Sequence, residues 1–430
     1  MINRRLLLLL SLLLMIANSW SNNFITIKDG RFYSKGKPYY FIGTNFWYAP
    51  ILASEGAGGN RERLQKELDL LQSLGINNLR ILVGADAGSS NANTVKPYLQ
   101  PEPGILNDTL LAGLDYLLFE MEKRDMVGVF YLTNSWDWSG GYGFYLRQTG
   151  HGDSPNANGE GYNQYVQYAS QFVLDRKAIQ LYHNFVRSII TRTNTITGRK
   201  YTEEPAIMSW QICNEPRPFS KEGKEAFAKW IAETARLIKE LDPNHLISTG
   251  SEGLYGCEVD ESLCETIHWD TNIDYLTIHI WPVNWRWSTP DRLYEALPNV
   301  YLRSTDYISL HQRMAQSIGK PFVIEEFGYS RDRTFLLPET KTRARDAFYN
   351  FIFQQVLESK NNNGLLSGCN FWGWAGTGRP NAKVWSMGDD YLCDPPHEPQ
   401  GWYSVYDSDS TTIELIKKFT SLLQKKDKTE

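Results

Sequence analysis

The sequence lacks the features of several protein classes. It contains no low-complexity tract, and 42% of its residues are hydrophobic and 13% aromatic, so it predicts a folded globular protein rather than a disordered one. It has neither a CxxC pair nor an HExxH motif, so a structural or catalytic zinc site has little support. No other motif requires a metal or a cofactor, and we predict none.

Clusters of positive charge are also missing. The 44 Lys and Arg residues are scattered among 49 Asp and Glu residues, which gives a formal net charge of -5. A nucleic-acid-binding surface would need a concentrated basic patch, so no nucleic-acid partner is expected. A neutral ligand fits this composition better, and we expect a monomer.

Long hydrophobic runs are absent except at the N-terminus. Arg4 and Arg5 precede a run from Leu6 to Ile16 that is apolar except for Ser11, and Ala17-Asn18-Ser19 follows it. This order is typical of a secretory signal peptide, and the run is too short to cross a bilayer comfortably, although a non-cleaved anchor is an alternative. We predict a signal peptide at residues 1–20, secretion to an extracellular or periplasmic space, and no membrane contact after cleavage.

Cysteine is scarce, with five residues in the chain. Cys213 and Cys369 lie in apolar runs with the pattern of strands and are predicted to be buried thiols. Cys257 and Cys264 flank an acidic segment and could pair in an oxidising compartment, but their spacing does not establish a disulfide.

Short apolar runs alternate with longer amphipathic stretches along the chain, after a turn-rich N-terminal segment that predicts a β-hairpin. Eight strands separated by crossover helices predict a (β/α)8 barrel, that is, a TIM barrel of the α/β class with long strand-to-helix loops, formed as one domain over residues 21–430. An open doubly wound sheet is the alternative, but Gly43-Thr44-Asn45-Phe46-Trp47 is not a phosphate-binding loop. The predicted strands are Tyr40–Asn45, Asn78–Val83, Val127–Leu132, Ile207–Cys213, His245–Thr249, Tyr275–Ile280, Pro321–Glu326 and Leu366–Phe371.

Two of these strands deliver carboxylates to their C-terminal ends, where a barrel places its active site. "WQICNEPRP" ends in Asn214 and Glu215 before Pro216, and "PFVIEEFG" ends in Glu325 and Glu326. Strand alternation lets only one of the last two point inward and does not decide which. Two facing carboxyl groups, one protonated and one ionised, are what glycosidic bond cleavage requires. The alternative is structural, with Glu215 capping a helix and Glu326 in an ion pair.

Arg80 and His279 lie within or at the end of two further apolar strands. A buried arginine needs an anionic partner, which a carboxylate nucleophile or a structural ion pair would supply. His279 could bond substrate hydroxyls or a catalytic carboxylate, or be a core histidine. Flat aromatic faces suit the apolar faces of sugar rings. Eight of the 14 tryptophans fall at or just after predicted strand ends: Trp47, Trp136, Trp138, Trp281, Trp285, Trp287, Trp372 and Trp374.

Taken together, the chain from about residue 24 to residue 405 resembles glycoside hydrolase family 5, and within it the endo-β-1,4-mannanases. The segments that carry the resemblance are "GTNFWY", "NNLRIL", "YLTNSWDWSGG", "WQICNEPRP", "TIHIWPVNW", "PFVIEEFGYSRD" and "NFWGWAGTGRP".

The resemblance implies roles for individual residues. Glu215 is expected to be the acid/base, with Asn214 contacting the sugar at its 2-position, and Glu326 is expected to be the nucleophile. Arg80 and His279 are expected to support the nucleophile and the substrate. Among the aromatic residues, the resemblance implies a sugar-binding floor at Trp372 and platforms or walls at Trp47, Trp136 and Trp281. Many relatives carry a tyrosine at the position of Trp281, whose indole N–H donates but cannot accept a hydrogen bond.

The implied function is endo-acting hydrolysis of mannan, galactomannan or glucomannan by a retaining double displacement. Three alternatives stay open: an endo-β-1,4-glucanase, an exo-acting β-mannosidase, and a carbohydrate-binding protein without catalysis.

Overall fold

The computed structural model of the protein describes residues 24–90, 93–332 and 339–425. The predicted signal peptide at residues 1–20 lies outside this part of the chain. Within it, none of the helices is long and apolar enough to cross a membrane.

The main sheet has eight strands, all paired in parallel. The strands are β4 Phe41–Asn45, β5 Asn78–Leu82, β6 Val127–Tyr131, β7 Ile207–Gln211, β8 Leu246–Ser248, β9 Leu276–Ile280, β10 Phe322–Phe327 and β11 Leu366–Phe371. Their order along the sheet is β8-β7-β6-β5-β4-β11-β10-β9, and a bridge between Ser248 and Tyr275 joins the two ends of the sheet. The sheet is therefore a barrel, as predicted.

Helices connect successive barrel strands and cover the outside of the barrel. Four of them begin after an Asn or Asp whose side chain accepts a backbone N–H of the first turn: Asn60, Asn107, Asp175 and Asp260. The helices are α1 Ala49–Ala53, α2 Arg61–Ser73, α3 Asp108–Glu122, α4 Gly141–Gln148, α5 Tyr162–Ala169, α6 Arg176–Ile190, α7 Lys224–Leu241, α8 Glu261–Trp269, α9 Leu297–Ile318, α10 Arg343–Asn361 and α11 Ser410–Gln424.

The N-terminal segment closes the bottom of the barrel. It forms a small antiparallel sheet of β1 Thr26–Lys28, β2 Arg31–Ser34 and β3 Lys37–Pro38, one strand more than the predicted hairpin. Phe32 and Tyr39 are buried in one cluster with Val129, Met208 and Val323 from three barrel strands. This apolar plug leaves the opposite end, at the strand C-termini, free to hold polar groups.

Long loops at the strand C-termini contain structure of their own. The loop after β6 includes α4 and α5, and the loop after β11 contains the short parallel strands β12 Trp374–Gly376 and β13 Val405–Tyr406. These additions build the loops up around one end of the barrel, where the predicted site residues lie.

Candidate active site

Glu215 and Glu326 face each other at the C-terminal end of the barrel. Glu326 is the penultimate residue of β10, and Glu215 follows the end of β7 by four residues. A carboxylate oxygen of each, together with a ring nitrogen of His279, lies within 4.8 Å of the others. Both glutamates line a cavity of about 540 Å³. The structure therefore brings together the two carboxylates that the sequence placed 111 residues apart.

A bulge in β10 explains why strand alternation did not choose between Glu325 and Glu326. The pairing of β10 with both neighbouring strands shifts register after Ile324. The extra residue lets both glutamates turn to the inside of the barrel. Glu325 lies lower, where it accepts hydrogen bonds from Gln211 and from the Tyr275 hydroxyl at 3.2 Å. Only Glu326 reaches the cavity.

Arg80 holds Glu326 from inside the barrel. Its guanidinium is fully buried, donates to Glu326 Oε1, and donates at 2.7 Å to Asn214 Oδ1. Asn45 and Gln211 accept its other N–H groups at 3.1 and 2.9 Å. Arg80 does not line the cavity, so it supports the glutamate and the asparagine rather than binding substrate directly.

His279 lies between the two glutamates. Its Nδ1 is 2.7 Å from Glu215 Oε1 and 3.3 Å from Glu326 Oε2. Burial, together with the charge of Arg80, lowers the pKa of His279 well below its usual value, so the ring is neutral. A neutral ring protonated on Nδ1 donates a hydrogen bond to the carboxylates. Like Arg80, His279 is fully buried beneath the cavity and positions the carboxylates.

Two indoles complete the hydrogen bonds to the glutamates. Trp136 Nε1 donates to Glu215 Oε2 at 2.5 Å, and Trp281 Nε1 donates to Glu326 Oε2 at 3.2 Å. Trp281 thus supplies the donor expected of the tyrosine that many relatives carry at this position. Trp372 and Asn214 also line the cavity.

The backbone of Glu215 depends on a close approach between two loops. Glu215 has a left-handed conformation, with φ of 49°, and its N–H donates to the Gly250 carbonyl at 2.9 Å. A side chain at Gly250 would come within 1.9 Å of the Cys213 carbonyl oxygen. Gly250 therefore lets the loop after β8 pack against the strand end that presents Glu215.

Burial and charge separate the protonation of the two glutamates. Burial raises the pKa of both carboxyl groups, and the charge of each disfavours ionisation of the other. Arg80 bonds Glu326 directly and opposes this rise, which favours the ionised form there. Arg217 and Arg80 oppose the rise at Glu215 in the same way, so burial and like charge favour a state in which one of the two carboxyl groups is protonated and the other is ionised.

The prediction that Trp47 forms part of the sugar-binding surface is wrong. Trp47 is 2% exposed, packs in the core and does not line the cavity. Its Nε1 donates to the Cys393 carbonyl at 2.6 Å. The chain enters α1 two residues after Trp47, so this side chain lies under the loops and not on their surface.

We expect Trp47→Phe to affect stability and leave ligand affinity unchanged. Phenylalanine keeps most of the buried ring but leaves the Cys393 carbonyl without its donor, which should lower the free energy of unfolding by about 1–3 kcal/mol. Urea denaturation measures the first quantity and titration calorimetry with an oligosaccharide the second. A variant of unchanged stability with weakened binding would restore Trp47 to the site.

The other predicted tryptophans divide between cavity and core. Trp136, Trp138, Trp281, Trp285 and Trp372 line the cavity. Trp287 is 8% exposed and packs beside Trp285, and Trp374 is fully buried and donates to Glu67 Oε2 at 2.9 Å.

Several cavity residues were not predicted from the sequence. Arg217 and Glu252 form a buried ion pair on the cavity wall. Burial raises the pKa of Glu252 to about 7. Like Glu215, Glu252 is a carboxylate just beyond the end of a strand, and this pattern could have identified it. The pattern is weaker at Glu252 because β8 has only three residues. His397 and Glu398 come from the loop after β11.

Comparisons with known proteins point to one family. Residues 22–428 match the family model described as GH family 5 beta-mannosidase-like. A curated relative from tomato, mannan endo-1,4-beta-mannosidase 4, is 27% identical over 87% of this chain and 91% of its own. A rice relative, putative mannan endo-1,4-beta-mannosidase 9, is 28% identical over 82% of this chain and 81% of its own.

Solved structures extend the likeness to three dimensions. A glycoside hydrolase family 5 mannosidase from Rhizomucor miehei is 35% identical, with a TM-score of 0.86 over 94% of this chain and 98% of its own. An endo-beta-1,4-mannanase from Thermotoga petrophila is 25% identical, with a TM-score of 0.67 over 92% and 79%. The chain belongs to glycoside hydrolase family 5 and is a glycoside hydrolase.

Proposed function

We propose that the protein hydrolyses β-1,4-mannosidic bonds in mannan-type polysaccharides with retention of anomeric configuration. The names of the tomato and rice relatives support the mannan substrate. One observation carries the proposal of retention: oxygens of Glu215 and Glu326 lie within 4.8 Å of each other. Retaining enzymes hold their carboxyl groups about 5–5.5 Å apart, whereas inverting enzymes need about 6.5–9.5 Å to fit a water molecule.

In the first step, ionised Glu326 attacks the anomeric carbon while Glu215 donates its proton to the departing oxygen. The bond from the anomeric carbon to that oxygen breaks, and a mannosyl ester of Glu326 forms. In the second step, ionised Glu215 takes a proton from water, and the water oxygen displaces Glu326. Arg80 stabilises the carboxylate that is consumed and then regenerated.

The stereochemistry tests this proposal directly. Proton NMR during hydrolysis of a mannooligosaccharide should show the β-anomer as the first product, before mutarotation adds the α-anomer. An initial α-anomer would mean inversion and would remove the nucleophile role from Glu326.

The mode of attack has two candidates. Endo-acting cleavage is the mode in the names of the curated relatives, and it was the mode implied by the sequence. A contact between loops favours exo-acting cleavage: His397, from the loop after β11, stacks on Trp138, from the loop after β6, with ring centroids 6.3 Å apart. Asn93 also donates to the Pro396 carbonyl at 2.6 Å. These contacts close one side of the cavity, where an endo-acting enzyme needs an open groove.

Mannohexaose separates the two modes. Exo attack should release mannose and mannopentaose first, whereas endo attack should release mixtures of mannobiose, mannotriose and mannotetraose. Galactomannan provides a second readout, because only internal cleavage lowers its viscosity quickly. Carboxymethylcellulose serves as the control for glucan activity, which the proposal expects to be much lower.

We expect Trp281→Phe to reduce kcat more than it changes KM. The variant keeps the ring against Trp372 and Tyr403 but removes the indole donor to Glu326 Oε2. A hydrogen bond to a charged group is worth about 1.5–3 kcal/mol, so kcat/KM should fall roughly 10- to 100-fold. Steady-state kinetics on mannotetraose measures this. A pure rise in KM would indicate that Trp281 only binds substrate.

We further propose that the protein acts outside the cell as a monomer. The N-terminal run described above supports export, and its removal would leave the first residues of the family match near the new terminus. Sequencing of the mature N-terminus from culture medium, with light scattering for mass, tests both points.

A further inference from the structure

The loop after β8 holds two cysteine side chains against each other. Cys257 ends a short 3-10 helix, Tyr255–Cys257, and Cys264 lies in the first half of α8. Both are fully buried, and the 3-10 helix packs against α8. Both are free thiols in the structure. Burial and the neighbouring Cys264 raise the pKa of the Cys257 thiol, so the two thiols are close neighbours.

The turn between the two cysteines is strained. Glu258 and Val259 have φ values of 54° and 56°, in the left-handed region. For a β-branched residue such as valine this conformation is a genuine outlier, and the surrounding structure has to maintain it. Hydrogen bonds from Val259 N to the Leu254 carbonyl and from Asp260 N to the Cys257 carbonyl close the turn at 3.0 and 3.1 Å. The result is a tight reversal that returns the chain so that Cys264 meets Cys257.

We propose that Cys257 and Cys264 form an intramolecular disulfide bond when the chain folds in an oxidising environment. The oxidant is a small-molecule or protein disulfide, such as glutathione disulfide. A thiolate of one cysteine attacks the oxidant disulfide and releases one thiolate. The second cysteine then attacks the mixed disulfide, so that the protein S–S bond forms and the second thiolate leaves. Two protein thiols are oxidised, one disulfide is reduced to two thiols, and the two protons pass to the leaving groups.

The cross-link would brace a wall of the active site. The same loop carries Glu252, and Tyr255 packs on Trp285 with ring centroids 4.3 Å apart. Glu252 and Trp285 both line the cavity. A bond that fixes Cys257 to α8 therefore restricts the segment next to these residues.

A peptide map decides the question without any activity measurement. The protein is unfolded with reductant and refolded with a mixture of reduced and oxidised glutathione. Remaining thiols are then alkylated in denaturant, and a glutamate-specific protease cuts after Glu258 and Glu261, which separates the two cysteines. We expect one disulfide-linked pair of peptides that contains Cys257 and Cys264, with Cys213, Cys369 and Cys393 alkylated. Alkylation of all five cysteines, or linkage of any other pair, would overturn the proposal.

Variants give a second readout. Dithiothreitol should lower the unfolding temperature of the oxidised wild-type protein by several degrees, because reduction frees the loop in the unfolded chain. Cys257→Ser should lose this response, while Cys369→Ser, a matched buried cysteine on β11, should keep it. An equal response in Cys257→Ser and the wild type contradicts the cross-link. If the serine variant does not fold, the wild-type peptide map stands alone as the test.

Discussion

Replacing Glu326 with alanine should lower kcat on mannotetraose by at least about 10⁴-fold, the range expected when an enzyme loses its nucleophile. Glu326 is the carboxylate that Arg80, Trp281 and His279 all contact, and its oxygen lies within 4.8 Å of Glu215. Without it no glycosyl ester can form. Circular dichroism and the unfolding temperature should show that the variant is folded.

Chemical rescue separates a nucleophile from a structural carboxylate. In Glu326→Ala the missing side chain leaves space beside the anomeric carbon, and azide should enter it. With an activated aryl β-mannoside, azide should attack that carbon, displace the phenolate and give the α-mannosyl azide. Glu325→Gln is the matched control, because Glu325 is the neighbouring buried glutamate and does not line the cavity. Rescue of neither variant, with equal loss of activity in both, would assign Glu326 a structural role.

The barrel could be predicted from the sequence because its strands are buried on both faces. Such strands read as short continuous apolar runs, and the eight predicted ranges agree with the observed strands to within one or two residues at each end.

Site residues could be predicted from the sequence only where the end of a strand determines the direction of the side chains that follow it. Residues directly beyond a strand reach the cavity when the loop continues outward, as at Trp281 and Trp372. They do not when the chain folds back at once, as at Trp47, where α1 follows. The choice between Glu325 and Glu326 depends on a bulge, which arises from the pairing of three strands and not from the local sequence. Cavity residues on long loops, such as His397, depend on tertiary contacts in the same way.

Replacing Glu215 with alanine should have an effect that depends on the leaving group. On mannotetraose, where the departing sugar needs a proton, kcat/KM should fall by about 10²–10⁴-fold. On an aryl β-mannoside whose phenol is a good leaving group, formation of the glycosyl ester should proceed almost normally. Its hydrolysis should be slow, because no base activates the water. A burst of phenol followed by slow turnover is therefore expected in stopped-flow measurements.

The pH profile provides an independent check on the same variant. Burial raises the pKa of Glu215 above the ordinary value of 4.5, opposed by the charge of Arg217. An acid must be protonated to donate, so wild-type kcat/KM should fall as the pH rises through this raised pKa, and Glu215→Ala should lack that basic limb on the activated substrate. A variant that keeps the limb, or that loses equal activity on both substrates, would mean that another group supplies the proton. Glu252, with a pKa of about 7 and a place on the same cavity wall, would then be the first candidate.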